Sequence, residues 1–495
     1  MEIPGECQYS GEPVLVTPSQ PTPRRSLYLS NLDDQRFLRF SIKYLYVFNA
    51  AAAVPADALR AALARALVDY YPLAGRLRPT DAGDLDGTAA PNTNKLMVDC
   101  NAEGALFAEG FLPGLTAADF LRGSAKPHKT WRKLLFRVDA AHSFVSVPPL
   151  VVQVTQLGCG GMVLCTAISH CLCDGIGTAN FLHAWASAAA RAYDDVARAV
   201  VHDRRALRPR CPTRVAFTHP EYSCSTSADA ALLPQLLAQP LAPVSLTFTA
   251  AHVLRLKTRC SPSFRCTAFE ALAAHVWRAW VRSLDPPPAL RVKLLFSVNV
   301  RRRLKPELPK GYYGNAFVLG CAEATAGQLV ASSTSGVRLV QEAKECIDDD
   351  YVRSMVDLLE ERRGAKPDLS ATLVISAWTR LGLEDIDFGK GKAAHMGPLT
   401  SEIYCVFLPV VGDPDGVTVL VSVPQAAAAR FEHHCCLLDD EDPNPIMKEK
   451  TTTAQHEHEH HQQQQQQQEH GKTKPKMQGS DLVGHQHHHG HDILA

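Results

Sequence analysis

The sequence predicts two α/β domains in series, and three features carry that expectation. At 495 residues the chain is longer than one hydrophobic core commonly serves. Strand-like and helix-like apolar periods are interleaved in both halves. Between the halves, residues 196–235 mix Arg, Pro, Ser and Thr without a period and read as a crossover.

In the first half, "PADALRAALARALVDY" (55–70) sets Leu59, Leu63 and Leu67 four apart, one apolar stripe on a helix that Pro72 stops. "LVVQVTQL" (150–157) and "MVLCTAIS" (162–169) are β-prone runs joined by "GCGG", whose glycines can take the positive φ of a tight hairpin. Past Asp174, apolar residues recur at Phe181/Leu182, Trp185, Ala188/Ala189 and Ala192, a helical period. "ISHCLCDGIG" (168–177) therefore occupies a strand-to-helix turn, with His170 just past the strand. In the second half "VSLTFT" restarts the pattern, and "CTAFEALAAHVWRAWVRSL" reads as a helix opened by a Thr267/Glu270 capping box and packing Leu272, Val276 and Trp280. "RVKLLFSVNV" alternates Val292, Leu294, Phe296, Val298 and Val300 to one face, as a strand does. The expected division is 1–195, a crossover over 196–235, 236–436, and a His/Gln-rich tail over 437–495 that cannot bury a core and is expected to be disordered.

Composition narrows the function. Lys+Arg and Asp+Glu both total 51, so no global basic field attracts nucleic acid, and an acidic ligand needs local positive groups. No basic-then-apolar leader is visible at the N-terminus, and no apolar run approaches the roughly 20 residues of a membrane span. A soluble, cytoplasmic protein is expected. Fifteen cysteines without framework spacing read as reduced, mostly buried thiols, with Cys435-Cys436 an ordinary thiol pair rather than a lipid attachment point.

The His170 turn admits several readings. A metal site built from His170, Cys171, Cys173 and Asp174 has poor spacing, because structural sites draw ligand pairs from separate segments. A nucleophile at Cys171 or Ser169 lacks the strand-to-helix elbow that presents one. A general base and a buried structural imidazole both remain open. The placement favours a base, since Gly175 and Gly177 let backbone approach a ligand and a strand-end turn exposes the side chain.

"SHCLCDG" matches the H-x-x-x-D-G signature of the plant BAHD acyltransferases. "YYPLAGRL" (70–77), "CTAFEALAAHVWRA", "NVRRRLKPELPKGYYGNAF" (299–317) and "SAWTRLGLEDIDFGKG" (376–391) resemble further blocks of that family, in order, over about residues 12–435. The N-terminal segment and "SAWTRLGLEDIDFG" look most like the branch that passes hydroxycinnamoyl groups to ω-hydroxy fatty acids and long-chain alcohols, the phenolic esters of suberin, cutin and wax. The resemblance implies two chloramphenicol-acetyltransferase-like domains, mixed sheets flanked by helices, with an active-site tunnel at their interface. It implies a monomer that uses acyl-CoA as co-substrate and an alcohol as acceptor, with no permanent cofactor and no metal.

Carried over residue by residue, the resemblance makes His170 the general base and Asp174 its companion in the motif, paired with Arg301. Asp387 and Gly389 support structure. Lys257, Arg265 and Thr267 are candidates for CoA, and Arg380 for an acidic acceptor. Two other readings stay open: a non-catalytic relative that binds an acyl ligand or serves an elongase, and an N-acyltransferase on polyamines. The family's D-F-G-W-G is "DFGKG" here, and loss of the indole at Lys390 is expected to leave a packing gap.

Overall fold

The computed structural model describes residues 1–80, 95–138, 144–190, 199–223, 232–401 and 404–438. The tail expected over 437–495 lies outside these residues from 439 onward, as do parts of the crossover.

Two mixed sheets form the frame. The first has seven strands; its order runs Gln8–Tyr9, Ala105–Leu112, Leu150–Leu157, Met162–Ser169, Ser41–Phe48 and His395–Pro398, with Val14–Val16 also paired to Ala105–Leu112. The second has six, ordered Leu241–Phe248, Asp413–Pro424, Cys405–Val410, Thr372–Ala377, Arg291–Asn299 and Phe317–Thr325. A small third sheet joins Ser26–Tyr28, Leu96–Asp99 and Arg76–Pro79.

The strand that leads to His170 is central and buried along all eight residues, so it reads as an unbroken apolar run rather than an alternation. It pairs with Leu150–Leu157 in the register Leu150↔Ile168, and Gly160 closes the hairpin at φ +86°. The helix that follows, Gly175–Ala189, packs on Ala56–Asp69, whose Leu59, Leu63 and Leu67 are fully buried. Trp185 Nε1 donates to the Leu59 carbonyl at 2.9 Å and locks the pair.

In the second half the helix Ala268–Leu284 opens with the Thr267/Glu270 capping box and buries Leu272, Val276 and Trp280. The strand Arg291–Asn299 buries its alternating set, but Lys293 and Leu295 on the other face are buried too. The crossover covers that face: Lys293 Nζ donates to the Pro220 carbonyl at 3.2 Å. Cys435 and Cys436 end the helix Gln425–Cys436 as buried thiols, with no surface on which to carry a lipid.

The chain departs from the division at 236. His395–Pro398 returns to the first sheet and pairs antiparallel with Ser41–Phe48, covering an otherwise bare edge. Trp378, Leu383, Ile386, Phe388 and Met396 sit in the first domain's core. Phe388 meets Phe48 and Trp185 edge to face, at centroid distances of 6.0 and 5.1 Å. Lys390, two residues on, is exposed, so its side chain leaves no gap in the core, contrary to the expectation from the lost indole.

Replacing Phe388 by Ala is expected to destabilise the protein by about 3–5 kcal/mol, read by urea unfolding followed through tryptophan fluorescence. Lys390→Ala should stay within about 0.5 kcal/mol of the parent. An equal loss from both would place Lys390 in the packing after all.

Candidate active site

His170 sits where the central strand ends and the second domain begins. Its backbone N–H donates to the Phe40 carbonyl at 2.9 Å. Its side chain is fully buried, with the rings of Phe40 and Phe317 at 5.5 and 5.8 Å. Neither ring nitrogen has a hydrogen-bond partner. Burial, the largest influence, lowers the imidazole pKa below 6.5 against the smaller opposing pulls of Asp174, Asn315 and Asp33, so the ring is held neutral.

The exposed strand-end ring anticipated from the glycines is therefore not what forms. The second domain's loop caps the turn, and the glycines make room for that loop rather than for a ligand. A Cβ on Gly177 would lie 1.9 Å from the Tyr313 carbonyl oxygen. One on Gly175 would meet Leu381 Cδ1 at 2.9 Å. The expected tunnel is thus shut at the ring.

Asp174 caps the helix Gly175–Ala189 by accepting from the Gly177 N–H at 2.9 Å. Arg301 grips both its oxygens, at 2.8 and 2.9 Å, and the Ala316 N–H adds a contact at 3.1 Å. These four bonds engage both carboxylate oxygens, and Asp174 makes no hydrogen bond to the imidazole.

Asn315 holds the backbone of His170 instead. Its Nδ2 donates to the His170 carbonyl at 2.6 Å and to Asp33 Oδ1 at 3.0 Å, and its N–H donates to the same oxygen at 2.8 Å. Asp33 also faces the guanidinium of Arg204, from the crossover, at 2.8 Å, both side chains fully buried. Arg204 lies over the Tyr313 ring at 4.9 Å, and a side chain on Gly314 would collide with it. Sequence reasoning missed Asn315, Asp33 and Arg204; a polar residue inside "YYGNAF" was the available signal. The two cysteines of the turn are poor nucleophiles, because burial raises the Cys171 thiol far above its ordinary range and pushes Cys173 up to about 12.

The remaining candidates gather elsewhere. Asp387 Oδ1 accepts from the Gly389 and Gly391 N–H groups at 2.7 and 2.9 Å, and Gly389 holds φ +103° against Ala190. Thr267 is engaged in its capping box, Arg265 is exposed nearby, and Lys257 lies half-buried on the preceding helix, Ala250–Thr258. A cavity of about 310 Å³ opens beside the start of the helix Ala268–Leu284, lined by Phe269, Asn299, Arg303, Lys344, Thr379 and Arg380 among others. Arg380, at φ +61° and with its side chain 78% exposed, shares a cavity with the start of the helix that Thr267 caps. Arg303 and Lys344 are its further basic groups, which only tertiary folding brings there.

Two α/β domains thus close over the His170 turn. The model of the Transferase family matches residues 12–438. The fatty alcohol:caffeoyl-CoA acyltransferase of Arabidopsis thaliana is 34% identical over 85% of this chain and 96% of its own. The omega-hydroxypalmitate O-feruloyl transferase of the same plant is 34% identical over 85% and 91%. Benzyl alcohol O-benzoyltransferase of Petunia hybrida is 32% identical, again over 85% and 91%. Among solved structures, vinorine synthase (TM-score 0.63, 20% identity, 87% and 98% covered) and apo F. graminearum TRI101 (0.66, 14%, 83% and 97%) share the fold. The chain belongs to the BAHD acyltransferase family, and it is an acyltransferase.

Arg301→Met would leave the Asp174 carboxylate buried without its counter-charge, at an expected cost of about 3–5 kcal/mol. Adding Asp174→Asn should recover part of that loss. Thermal unfolding of the two single variants and the double variant reads the coupling, and strictly additive losses would contradict it.

Proposed function

We propose that this acyltransferase passes a hydroxycinnamoyl group, feruloyl or caffeoyl, from CoA to the hydroxyl of a long-chain alcohol or ω-hydroxy fatty acid. The observation that carries the reading is the 34% identity, over 85% of the chain, to relatives named for those two acceptor classes. In this reading His170 is the general base. A neutral imidazole with two unengaged nitrogens supports that role. One nitrogen takes the acceptor's hydroxyl proton while the oxygen attacks the thioester carbonyl. The tetrahedral adduct collapses as its C–S bond breaks, and the proton moves from the imidazolium to the CoA sulfur. Ester and free CoA result without an acyl-enzyme. Base assistance of this kind contributes about 10²–10⁴ in rate.

Asp174, Arg301 and Asn315 act through the turn as positioning residues, and the Asp387 and Gly389 loop supports the first domain's core. The basic groups Arg303 and Lys344 suit CoA phosphates, with Lys257, Arg265 and Thr267 nearby in the chain.

A free-thiol assay with feruloyl-CoA and alcohols from hexadecanol to docosanol should register CoA release. His170→Ala should lower it at least about 10²-fold in protein that remains folded. Folded protein that releases no CoA with any of these alcohols overturns the acceptor class, and a His170→Ala variant with undiminished CoA release overturns the base. Because the base must be neutral and its pKa is lowered, the acid limb of kcat/KM should have its midpoint below pH 6.5. A midpoint above 6.5 would oppose a buried base.

A further inference from the structure

A second polar cavity, about 140 Å³, lies on the seam between the domains, away from the larger one. The first domain supplies Asn31, Asp34, Arg36, Arg39 and Lys95 to its wall, and the second supplies Arg363. Four cations thus face one lining carboxylate, in a chain whose overall charge is zero. That carboxylate is already engaged: Asp34 accepts from Arg39 at 3.0 Å and from the Leu96 N–H at 2.8 Å. The adjoining Glu360 is held by Arg363 and by Asn31 Nδ2.

Two of the cations have no such partner. Lys95 is 6% exposed, and among the described residues its ammonium donates only to neutral oxygens, Asn31 Oδ1 at 2.8 Å and the Tyr28 hydroxyl at 3.5 Å. Arg36 is exposed at the rim, and among the described residues no carboxylate pairs with it. A buried ammonium with no carboxylate in direct contact is costly, and burial pulls Lys95 down to about 8 against the weaker opposing pulls of Asp34, Glu360 and Asp33. An anion placed beside it offsets that cost.

The cavity also has a direction. Gln35 lines both it and a small apolar space bounded by Phe37, Phe317, Leu319 and Met355. Phe317 is the ring that stands 5.8 Å from His170. We infer that the seam cavity is a binding site for an oxyanion, the carboxylate of an acyl-chain acceptor or a phosphate of the CoA donor, held by Lys95, Arg36 and Arg363. This rests on the acyltransfer reading above for the identity of those two sources, but the binding itself needs no turnover.

Isothermal titration on the full chain separates the possibilities, with dodecanoate, dodecan-1-ol, CoA and inorganic phosphate as probes. The comparison is between the parent, Lys95→Met and Arg36→Glu; the latter changes an exposed residue and leaves the core untouched. If the carboxylate is the ligand, dodecanoate binds the parent about tenfold tighter than dodecan-1-ol and both variants lose that margin. If a phosphate is the ligand, both variants weaken CoA about tenfold and leave dodecanoate alone. Unchanged affinity of Arg36→Glu and folded Lys95→Met for dodecanoate, CoA and phosphate overturns the site. Absence of CoA release in the assay above, with these margins intact, sinks the catalytic reading and spares this one.

Discussion

The two-armed pairing of Arg301 with Asp174 is the contact on which the rest of the site depends. It fastens a turn of the first sheet to a loop of the second, four residues past His170. Taking both charges out of water costs several kcal/mol, and the pair offsets this only because two backbone N–H groups, of Gly177 and Ala316, complete the carboxylate's bonding. Its contribution is therefore geometric: it fixes how the domains meet more than how firmly they hold.

A second pair deepens the same joint. Asp33 and Arg204 come from the first domain and the crossover, and Asn315 from the second domain shares the Asp33 oxygen while reaching the His170 carbonyl. Three stretches of chain, distant in sequence, thus converge on one peptide unit. The backbone of His170 is held by Phe40 on one side and Asn315 on the other, while its ring is left without a polar partner. That combination keeps an imidazole in place and neutral, with its lone pair unspent. The enclosure that produces it also closes the ring to solvent, so exposure and protonation are set by the same side chains.

Much of this was legible along the chain because it is local. Leu150–Leu157 and Met162–Ser169 begin and end where the apolar runs do, and the Thr267/Glu270 box is the hydrogen-bonded cap its spacing implies. The order of the motif blocks pointed to the family that the comparisons show. Local reading failed where a residue answers to a distant neighbour. Gly175 and Gly177 looked like room for a ligand and are room for Leu381 and the Tyr313 carbonyl. Lys390 looked like a missing core residue and is at the surface, the core position being Phe388. The segment around His395–Pro398 looked like part of the second domain and completes the first sheet.

Short-range propensity and hydrophobic period determined the elements, the strand-to-helix turn and the residue types placed on it, since these depend on neighbours a few positions away. The tertiary structure alone decided that the histidine is sealed, that Asn315 rather than Asp174 touches its peptide unit, and that Lys95, Arg36 and Arg363 share one cavity. Burial, and the electrostatics that follow from it, are properties of what the chain brings together in space, and no spacing along it encodes them.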